Sequence, residues 1–364
     1  MPLQPYYDYY GDYSYADSIV LAAFDKTKTS FTNGNVDFTN GDGATDDARV
    51  EFIKKGTAYM NTWMYVIREF EDAIDDCTNG DLTANAGSSG PVHAWDEGVG
   101  FYVGSIMAPE DITGAQISSL DSKGKLAYTL GNKRCKNFKT CGPDGNELYG
   151  EAYANVKLMD LFNAGQHKLL VGKCADVVPI KDKIVSQMTV PLIQGTLRYA
   201  YKMAALSGGA KERAEGAVFA AAVLPQVHAC DAAAAKTIYD NMNVNGAAVD
   251  FNAVKAAFEG CYFQMGVKCS EIGGLWNSGT SAYYNDNGFN AAPCTDSGDP
   301  LPPGALVGII IAAVIAALAL VFVCILIRRE KKGKVSLQGL NGAQTLFSAF
   351  LSVDSRQTIE SRVR

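Results

Sequence analysis

Apolar residues recur at helical spacing through most of the chain that precedes residue 297. Between Asp46 and Asp76 they are separated by three, four or seven residues, which places them on one face of an amphipathic helix. A similar stripe follows Pro91, which suits the first turn of a helix, with Ser89 as a candidate cap. Further helices are predicted at Glu147–Cys174, Asp182–Leu206, Lys211–Cys230 and Asp250–Tyr262. Because strand-like alternation is confined to short pieces, the pattern predicts a mostly α fold.

An unbroken apolar run near the end of the chain predicts a transmembrane helix at Ala305–Ile327. Its 23 residues carry no charge and are long enough to cross a hydrocarbon core of roughly 30 Å. The basic segment "RREKKGK" follows directly, so the positive-inside rule places the preceding residues outside the cell. We therefore expect a type I plasma-membrane protein. Its parts would be an extracellular helical domain at 1–296, a Pro/Gly stalk at 297–304, the span at 305–327 and a cytoplasmic tail at 328–364.

The first residues of the chain do not resemble a secretory signal. The segment "MPLQPYYDYYGDYSYAD" has neither a basic start nor an apolar core. Since the predicted topology requires such a signal, we expect one to precede Met1 in a longer precursor.

The cysteines agree with an outer location. One of the nine, Cys324, lies in the predicted span, and the other eight precede it. An even number in an oxidising compartment predicts four disulfides, and therefore a disulfide-braced domain. The short spacings favour the pairs Cys135–Cys141 and Cys261–Cys269, although spacing alone does not determine connectivity. No CxxC pattern indicates a structural zinc site.

Composition favours a cation-binding protein over a nucleic-acid-binding protein or an enzyme. The formal net charge is −7, and much of the basic charge follows the predicted span. No basic stripe is available to follow a phosphate backbone, so nucleic acid is not an expected partner. The motifs GxxxxGK[ST], GxSxG and HExxH are absent from the sequence. Aspartate, glutamate and tyrosine with few histidines suit a hard cation such as ferric iron.

The segment "VHAWDE" contains one of only three histidines in the chain. His93 precedes Asp96 and Glu97 by three and four residues, so all three side chains can converge on one helix face. The opposite face carries the apolar stripe Val92, Trp95, Val99, Tyr102 and Ile106. Glycines at 98, 100 and 104 each cost a helix about 1 kcal/mol, which favours a close approach by another backbone or a ligand. A solvated polar face is the alternative interpretation.

A short echo suggests two pseudo-repeated helical halves. The pentapeptide "VHAWD" at 92–96 recurs as "VHACD" at 227–231. The remaining histidines, His167 and His228, lack a carboxylate at both the third and the fourth following position. We expect them to be ordinary packed histidines.

Three segments resemble the phytotransferrins, surface proteins of algae and diatoms that are induced by iron starvation. They are "YYGDYSYADSIVLAAFD" (Tyr9–Asp25), "VHAWDEGVGFYVGS" and "GEAYANVKLMDLFNAGQHKLL" (Gly150–Leu170), accompanied by a C-terminal membrane anchor. The resemblance extends over roughly residues 9–295. It implies ferric iron bound with carbonate at the cell surface, followed by internalisation of the loaded protein by endocytosis.

This resemblance strengthens a set of candidate ligands, which have the hard donor atoms that ferric iron prefers. The candidates for the metal are His93, Asp96, Glu97, Tyr65, Glu69, Tyr149 and Tyr153. Tyr65 stands one helical turn from Glu69, and Tyr149 stands one turn from Tyr153. For these tyrosines, packing in the core is an equal alternative. Carbonate would bind at the start of the His93 helix or at Arg198. Two other functions stay open: a surface adhesion or structural protein without metal, and a metal-dependent hydrolase with Glu97 as its base.

Overall fold

The computed structural model describes residues 4–80, 90–104, 126–246, 248–286 and 288–296. Its α-helices are α1 (Gln4–Tyr10), α2 (Tyr15–Asp25), α3 (Asp46–Gly56), α4 (Thr62–Thr78), α5 (Pro91–Val103), α6 (Ala127–Phe138), α7 (Tyr153–Leu170), α8 (Cys174–Ala205), α9 (Ala210–Cys230), α10 (Ala232–Met242), α11 (Phe251–Glu259) and α12 (Cys269–Ile272). A 3₁₀ turn at Asp42–Ala44 precedes α3, and a π-helical turn at Thr57–Asn61 joins α3 to α4. These elements belong to one compact unit that extends to Asp296. The predicted mostly α class is confirmed.

Helices α8 and α9 form the centre of this unit. All residues from 187 to 197 on α8 and from 216 to 225 on α9 are buried. Helices that are covered on every side need apolar residues all round, and α9 accordingly lacks a polar face over this stretch. Glycines allow the two helices to approach closely, since a Cβ atom at Gly195 would lie 2.7 Å from the ring of Phe219.

The predicted helix boundaries agree with the structure to different degrees. The predicted helix between Asp46 and Asp76 is confirmed as the continuous run α3, π turn and α4, and Thr45 caps it by accepting a hydrogen bond from the Ala48 amide. Helix α8 begins eight residues earlier than predicted and continues through Pro179 and Pro191. Helix α7 begins only at Tyr153, so the predicted start at Glu147 is wrong.

Five helices and two small hairpins were not predicted. The helices are α1, α2, α6, α10 and α12, none of which is longer than 12 residues. The hairpins pair β1 (Trp276–Asn277) with β2 (Ala282–Tyr283) and β3 (Asn285–Asp286) with β4 (Phe289–Asn290). Both are antiparallel.

The eight cysteines before the predicted span form four disulfides, as expected: Cys77–Cys174, Cys135–Cys141, Cys230–Cys261 and Cys269–Cys294. The predicted pair Cys135–Cys141 is confirmed. The predicted pair Cys261–Cys269 is wrong, because Cys261 follows α11 and joins the end of α9, whereas Cys269 begins α12 and joins the last described segment. Three of the four disulfides therefore join cysteines that are 25 or more residues apart, and Cys135–Cys141 closes a local loop.

The apolar stripe predicted on α5 is confirmed at its centre. The side chains of Trp95 and Tyr102 are fully buried, and those of Val92 and Val99 pack partly buried against the core. Residues 89 and 106, the candidate cap and the last position of the stripe, lie outside the described residues.

The echo around the histidines does not mark a repeated structural position. His93 is the third residue of α5, whereas His228 lies two residues before the end of α9. Asp231, the counterpart of Asp96, caps the start of α10 by accepting from two backbone amides. The expected pseudo-repeat therefore finds no support at this motif, because the two copies occupy opposite ends of their helices.

The predicted stalk, transmembrane helix and tail, residues 297–364, lie outside the described residues. Within the part of the chain that is described, no helix has both the length and the apolar character required to cross a membrane.

Candidate functional site

Four predicted metal ligands share one surface of the α4–α5 pair, which we call the α4–α5 face: Tyr65, Glu69, His93 and Glu97. On α5, His93 Nε2 lies 3.1 Å from Glu97 Oε1, one turn away. On α4, the Tyr65 hydroxyl donates a hydrogen bond to the Glu69 carboxylate. The helices meet closely because Gly98 has no side chain, and a Cβ atom there would lie 3.2 Å from Glu69 Cβ.

The two carboxylates give the α4–α5 face its electrostatic character. Burial raises the pKa of Glu69, and the negative charge of Glu97 raises it further, although the hydrogen bond from Tyr65 acts in the opposite direction. Like charges that approach in this way favour a bound cation. Among the described residues, however, no group of three His, Cys, Asp or Glu side chains is positioned to hold a metal ion. The face therefore presents donors in pairs rather than an assembled metal centre.

The other three predicted metal ligands have different surroundings. The Asp96 carboxylate accepts a hydrogen bond of 2.8 Å from Gln166 on α7. Tyr149 is 71% exposed in the bend before α7, and Tyr153 is the first residue of that helix, with its ring against Gly145. The expectation that Tyr149 and Tyr153 stand one turn apart on a single helix is therefore wrong.

Arg198, the predicted anion-binding residue, lies on α8 beside Arg134 of α6. Arg134 is only 9% exposed, and its Nε and Nη1 atoms have no hydrogen-bond partner within the described ranges. Burial lowers the pKa of Arg134 to about 10, and the positive charge of Arg198 contributes to this shift. A buried cation with unpaired donors is unfavourable, and so are two adjacent guanidinium groups. An anion bound here would relieve both.

Two phenols and a carboxylate lie near enough to Arg134 to affect its pKa. The Tyr199 hydroxyl donates to the Glu215 carboxylate. The rings of Tyr59 and Tyr199 both stack on Phe219, with ring centroids 5.4 and 5.9 Å from it. Burial raises the pKa of Tyr59 to about 12, although the nearby charge of Arg134 lowers it. We call these five polar residues the Arg134 cluster: Tyr59, Arg134, Arg198, Tyr199 and Glu215.

Lys55 supplies the counter-charge of Glu215. Its Nζ atom lies 2.7 Å from Glu215 Oε1 and also pairs with Glu51, one turn earlier on α3. Burial alone would raise the pKa of Glu215, but hydrogen bonds from Lys55 and Tyr199 hold it below its ordinary value. Glu215 is therefore ionised in the folded protein and paired with a cation from a different helix.

Local structure explains how these side chains come together. The π-helical turn between α3 and α4 carries Tyr59, and such turns occur frequently at functional sites. On α6, Arg134 takes a position in the buried stripe between Leu130 and Phe138. Helices α8 and α9 approach closely at Gly216, where a Cβ atom would lie 2.9 Å from Tyr199 Cβ. The cluster is therefore positioned by the helical core rather than by a loop.

Four members of the Arg134 cluster were not among the predicted site residues: Tyr59, Arg134, Tyr199 and Glu215. One signal in the sequence could have identified Arg134, since a charged residue at an apolar stripe position of a helix requires a buried partner. The other three lie on separate elements, and no spacing in the sequence relates them.

The Arg134 cluster combines two kinds of binding group. Guanidinium groups match planar oxyanions through parallel N–H donors. Phenol and carboxylate oxygens are hard donors that suit a hard cation such as ferric iron. An anion and a metal ion could therefore bind side by side in this cluster.

Comparison with known proteins relates the chain to iron limitation. A family model with the description "Fea1: Low iron-inducible periplasmic protein" matches residues 11–288, more than three quarters of the chain. No curated protein and no solved structure matches the chain. The matched range contains both the α4–α5 face and the Arg134 cluster, and the predicted relation to low-iron proteins is confirmed at the level of this description. The chain belongs to the Fea1 family of low iron-inducible periplasmic proteins.

Proposed function

We propose that the protein is a phytotransferrin-like surface receptor that captures ferric iron together with carbonate for uptake by internalisation. It acts as a binding protein rather than an enzyme. The observation that carries this proposal is the buried guanidinium group of Arg134, whose unpaired donors lie beside two phenols and a carboxylate. The family description supports a role under iron limitation.

In this proposal the Arg134 cluster is the iron site. Ferric iron binds Tyr59, Tyr199 and Glu215, and carbonate bridges the metal and the two arginines. The phenols have raised pKa values because they are buried, so they resist ionisation in the iron-free protein. A trivalent cation provides the positive charge that stabilises phenolate.

Charge balance supports the combination of iron with carbonate. Arg134, Arg198 and Lys55 carry three positive charges, and Glu51 and Glu215 carry two negative charges, so these side chains have one excess positive charge. Ferric iron adds three positive charges, while two phenolates and a carbonate dianion add four negative charges. The sum for these side chains, iron and carbonate is then zero, which is the favourable condition for buried charges. Lys211 also contacts Glu51, but its side chain is 56% exposed, so solvent screens its charge. Iron without the anion would leave two excess positive charges.

The α4–α5 face is the second candidate for the iron site. The mutual repulsion of Glu69 and Glu97 favours a cation there, and His93 provides an imidazole. Because its donors are arranged in pairs, this face would have to rearrange before it could coordinate iron through three or more ligands. In the Arg134 cluster, by contrast, two guanidinium groups already lie near two phenols and a carboxylate.

A ferric titration of the full chain tests the proposal. Phenolate coordination gives a visible charge-transfer band, which should appear on addition of ferric iron in the presence of bicarbonate and should be much weaker without it. Tyr59→Phe and Tyr199→Phe should each weaken the band, whereas Tyr65→Phe is the matched control and should leave it unchanged. A band that depends on Tyr65 and His93 instead would move the iron site to the α4–α5 face. A colourless protein that binds calcium or zinc equally well would favour an adhesion protein or a hydrolase.

A further inference from the structure

An ion pair between α3 and α9 occupies the carboxylate of the proposed iron site. Lys55 Nζ lies 2.7 Å from Glu215 Oε1, and the exposed fractions of these side chains are 19% and 12%. Lys55 also contacts Glu51, whose side chain is 10% exposed and which lies one turn earlier on α3. The ammonium group therefore sits between two poorly exposed carboxylates on different helices.

This pairing conflicts with a metal ion on Glu215. The ammonium group neutralises the carboxylate, and it would repel an arriving trivalent cation at short distance with little water to screen the repulsion. Glu215 also accepts a hydrogen bond from Tyr199, so both of its established partners must change when a metal binds. Glu51 provides an alternative position for the ammonium group, because it already contacts Lys55 on the same helix.

We propose that Lys55 is a built-in competitor of ferric iron: iron loading exchanges the metal for the Lys55 ammonium group on Glu215. The proposal rests on the function proposed above and identifies what regulates that site. In the exchange, the hydrogen bond from Lys55 Nζ to Glu215 Oε1 breaks and a carboxylate–iron bond forms. The protons of Tyr59 and Tyr199 leave to solvent as the two phenolates form, as does the proton of the bicarbonate that binds as carbonate, while Lys55 stays protonated on Glu51. Lys55 thereby sets how tightly the site holds iron and how fast it releases it.

The proposed exchange predicts different effects on iron affinity for the two lysines that contact Glu51. Lys55 competes directly for Glu215, whereas Lys211 lies 3.9 Å from Glu51 and its side chain is 56% exposed. A general effect of positive charge would make both lysines matter. Direct competition makes only Lys55 matter, since an exposed charge is screened by solvent.

The experiment compares ferric affinity and the rate of iron transfer to a competing chelator at fixed pH and bicarbonate concentration, with the full chain. Lys55→Met should bind iron at least about tenfold more tightly and release it correspondingly more slowly, because a charge-assisted hydrogen bond no longer competes. Lys211→Met is the matched control and should stay within about twofold of the original chain. The double variant Lys55→Met/Glu51→Gln leaves the net charge of the pair unchanged. It should also bind iron more tightly, and it removes the risk that two unpaired buried carboxylates prevent folding.

The possible outcomes distinguish the proposed function from the proposed Lys55 exchange. If the unsubstituted chain binds no ferric iron, the proposed function fails, and the exchange fails with it. If the unsubstituted chain binds iron but Lys55→Met and the double variant bind it equally or more weakly, the exchange is refuted while the proposed function stands. Lys55 would then be a support that orients Glu215. Equal tightening by Lys55→Met and Lys211→Met would also refute the exchange and indicate a general charge effect.

Discussion

Gly98 of α5 lies directly against the ring of Phe70 on α4: a Cβ atom at this glycine would come within 2.7 Å of Phe70 Cε1. Two residues further along the same helix, Gly100 has no atom of the described residues within 4 Å of its Cβ position, apart from its chain neighbours and the local helix backbone. The two glycines therefore have different reasons to be present. The first allows α4 and α5 to pack, which brings the two halves of the α4–α5 face together, whereas packing does not require the second.

Alanine at these two positions should have opposite effects on stability. Gly98→Ala should lower the free energy of unfolding by about 1–3 kcal/mol, because a methyl group is forced into a packed interface. Gly100→Ala should raise it by up to about 1 kcal/mol, the usual helix-propensity difference. Urea unfolding followed by circular dichroism measures both. A loss of stability in Gly100→Ala as large as that in Gly98→Ala would show that Gly100 also has a contact partner.

Removal of the charge of Arg134 should increase the stability of the protein and abolish its iron binding. Arg134→Met should raise the free energy of unfolding of the iron-free protein by about 1–3 kcal/mol, since it replaces a buried group that has unpaired donors with an apolar one. The same variant should lose bicarbonate-dependent iron binding. Arg49→Met is the control for stability. The Arg49 guanidinium donates to the carbonyl oxygens of Ala23 and Phe24, and the loss of these hydrogen bonds should destabilise the fold. Destabilisation of both variants alike would mean that Arg134 has a structural partner.

Glu69 should make stability depend on pH in the direction opposite to most carboxylates. Because burial raises its pKa in the folded state, its ionised form is disfavoured there, so the folded protein loses stability as pH rises through that pKa. Glu69→Gln should therefore increase stability at pH 7 and have a smaller effect at about pH 4, where the unsubstituted carboxyl group is largely protonated. Chemical denaturation at the two pH values measures this difference.

Asp37 provides a control of opposite sign for that measurement. Hydrogen bonds from the Thr39 side chain and backbone lower the pKa of Asp37, so its contribution is present at neutral pH and is lost as pH falls. Asp37→Asn should therefore destabilise the protein at pH 7 and have little effect at low pH. The same sign for both variants would contradict the assigned environment of Glu69.

The disulfides should contribute unequally to the free energy of unfolding, according to the length of the chain segment that each one closes. Cys77 and Cys174 are 97 residues apart, whereas Cys135 and Cys141 are six residues apart. Replacement of the first pair by serine should lower the free energy of unfolding by about 4–5 kcal/mol and of the second pair by about 2 kcal/mol, on loop-entropy grounds. Thiol labelling of the denatured, unreduced protein should modify none of the eight paired cysteines. Labelling of several of them would contradict the disulfide pattern.

Features that depend on local periodicity could be predicted from the amino-acid sequence alone. An apolar spacing of three and four residues predicts the run from α3 to α4 and the buried Trp95 stripe, because each residue of a helix has its orientation set by its position along the turn. Spacing also placed His93 and Glu97 within contact, since residues four apart on a helix are neighbours. An even cysteine count predicted four disulfides, but not the partner of Cys261, which lies at the end of α9.

Contacts between residues of different helices could not be predicted from the sequence, because they depend on how the helices pack. Tyr59, Arg134, Tyr199 and Glu215 lie on four separate elements, and their association depends on close helix approaches at positions such as Gly216. Asp96, one residue from Glu97, turns instead to Gln166 on α7, because adjacent helix positions face different neighbours. Burial then determined the surroundings of each group. Among the described residues, Arg134 is a buried cation whose Nε and Nη1 donors have no hydrogen-bond partner, whereas the His93–Glu97 pair is more than 40% exposed.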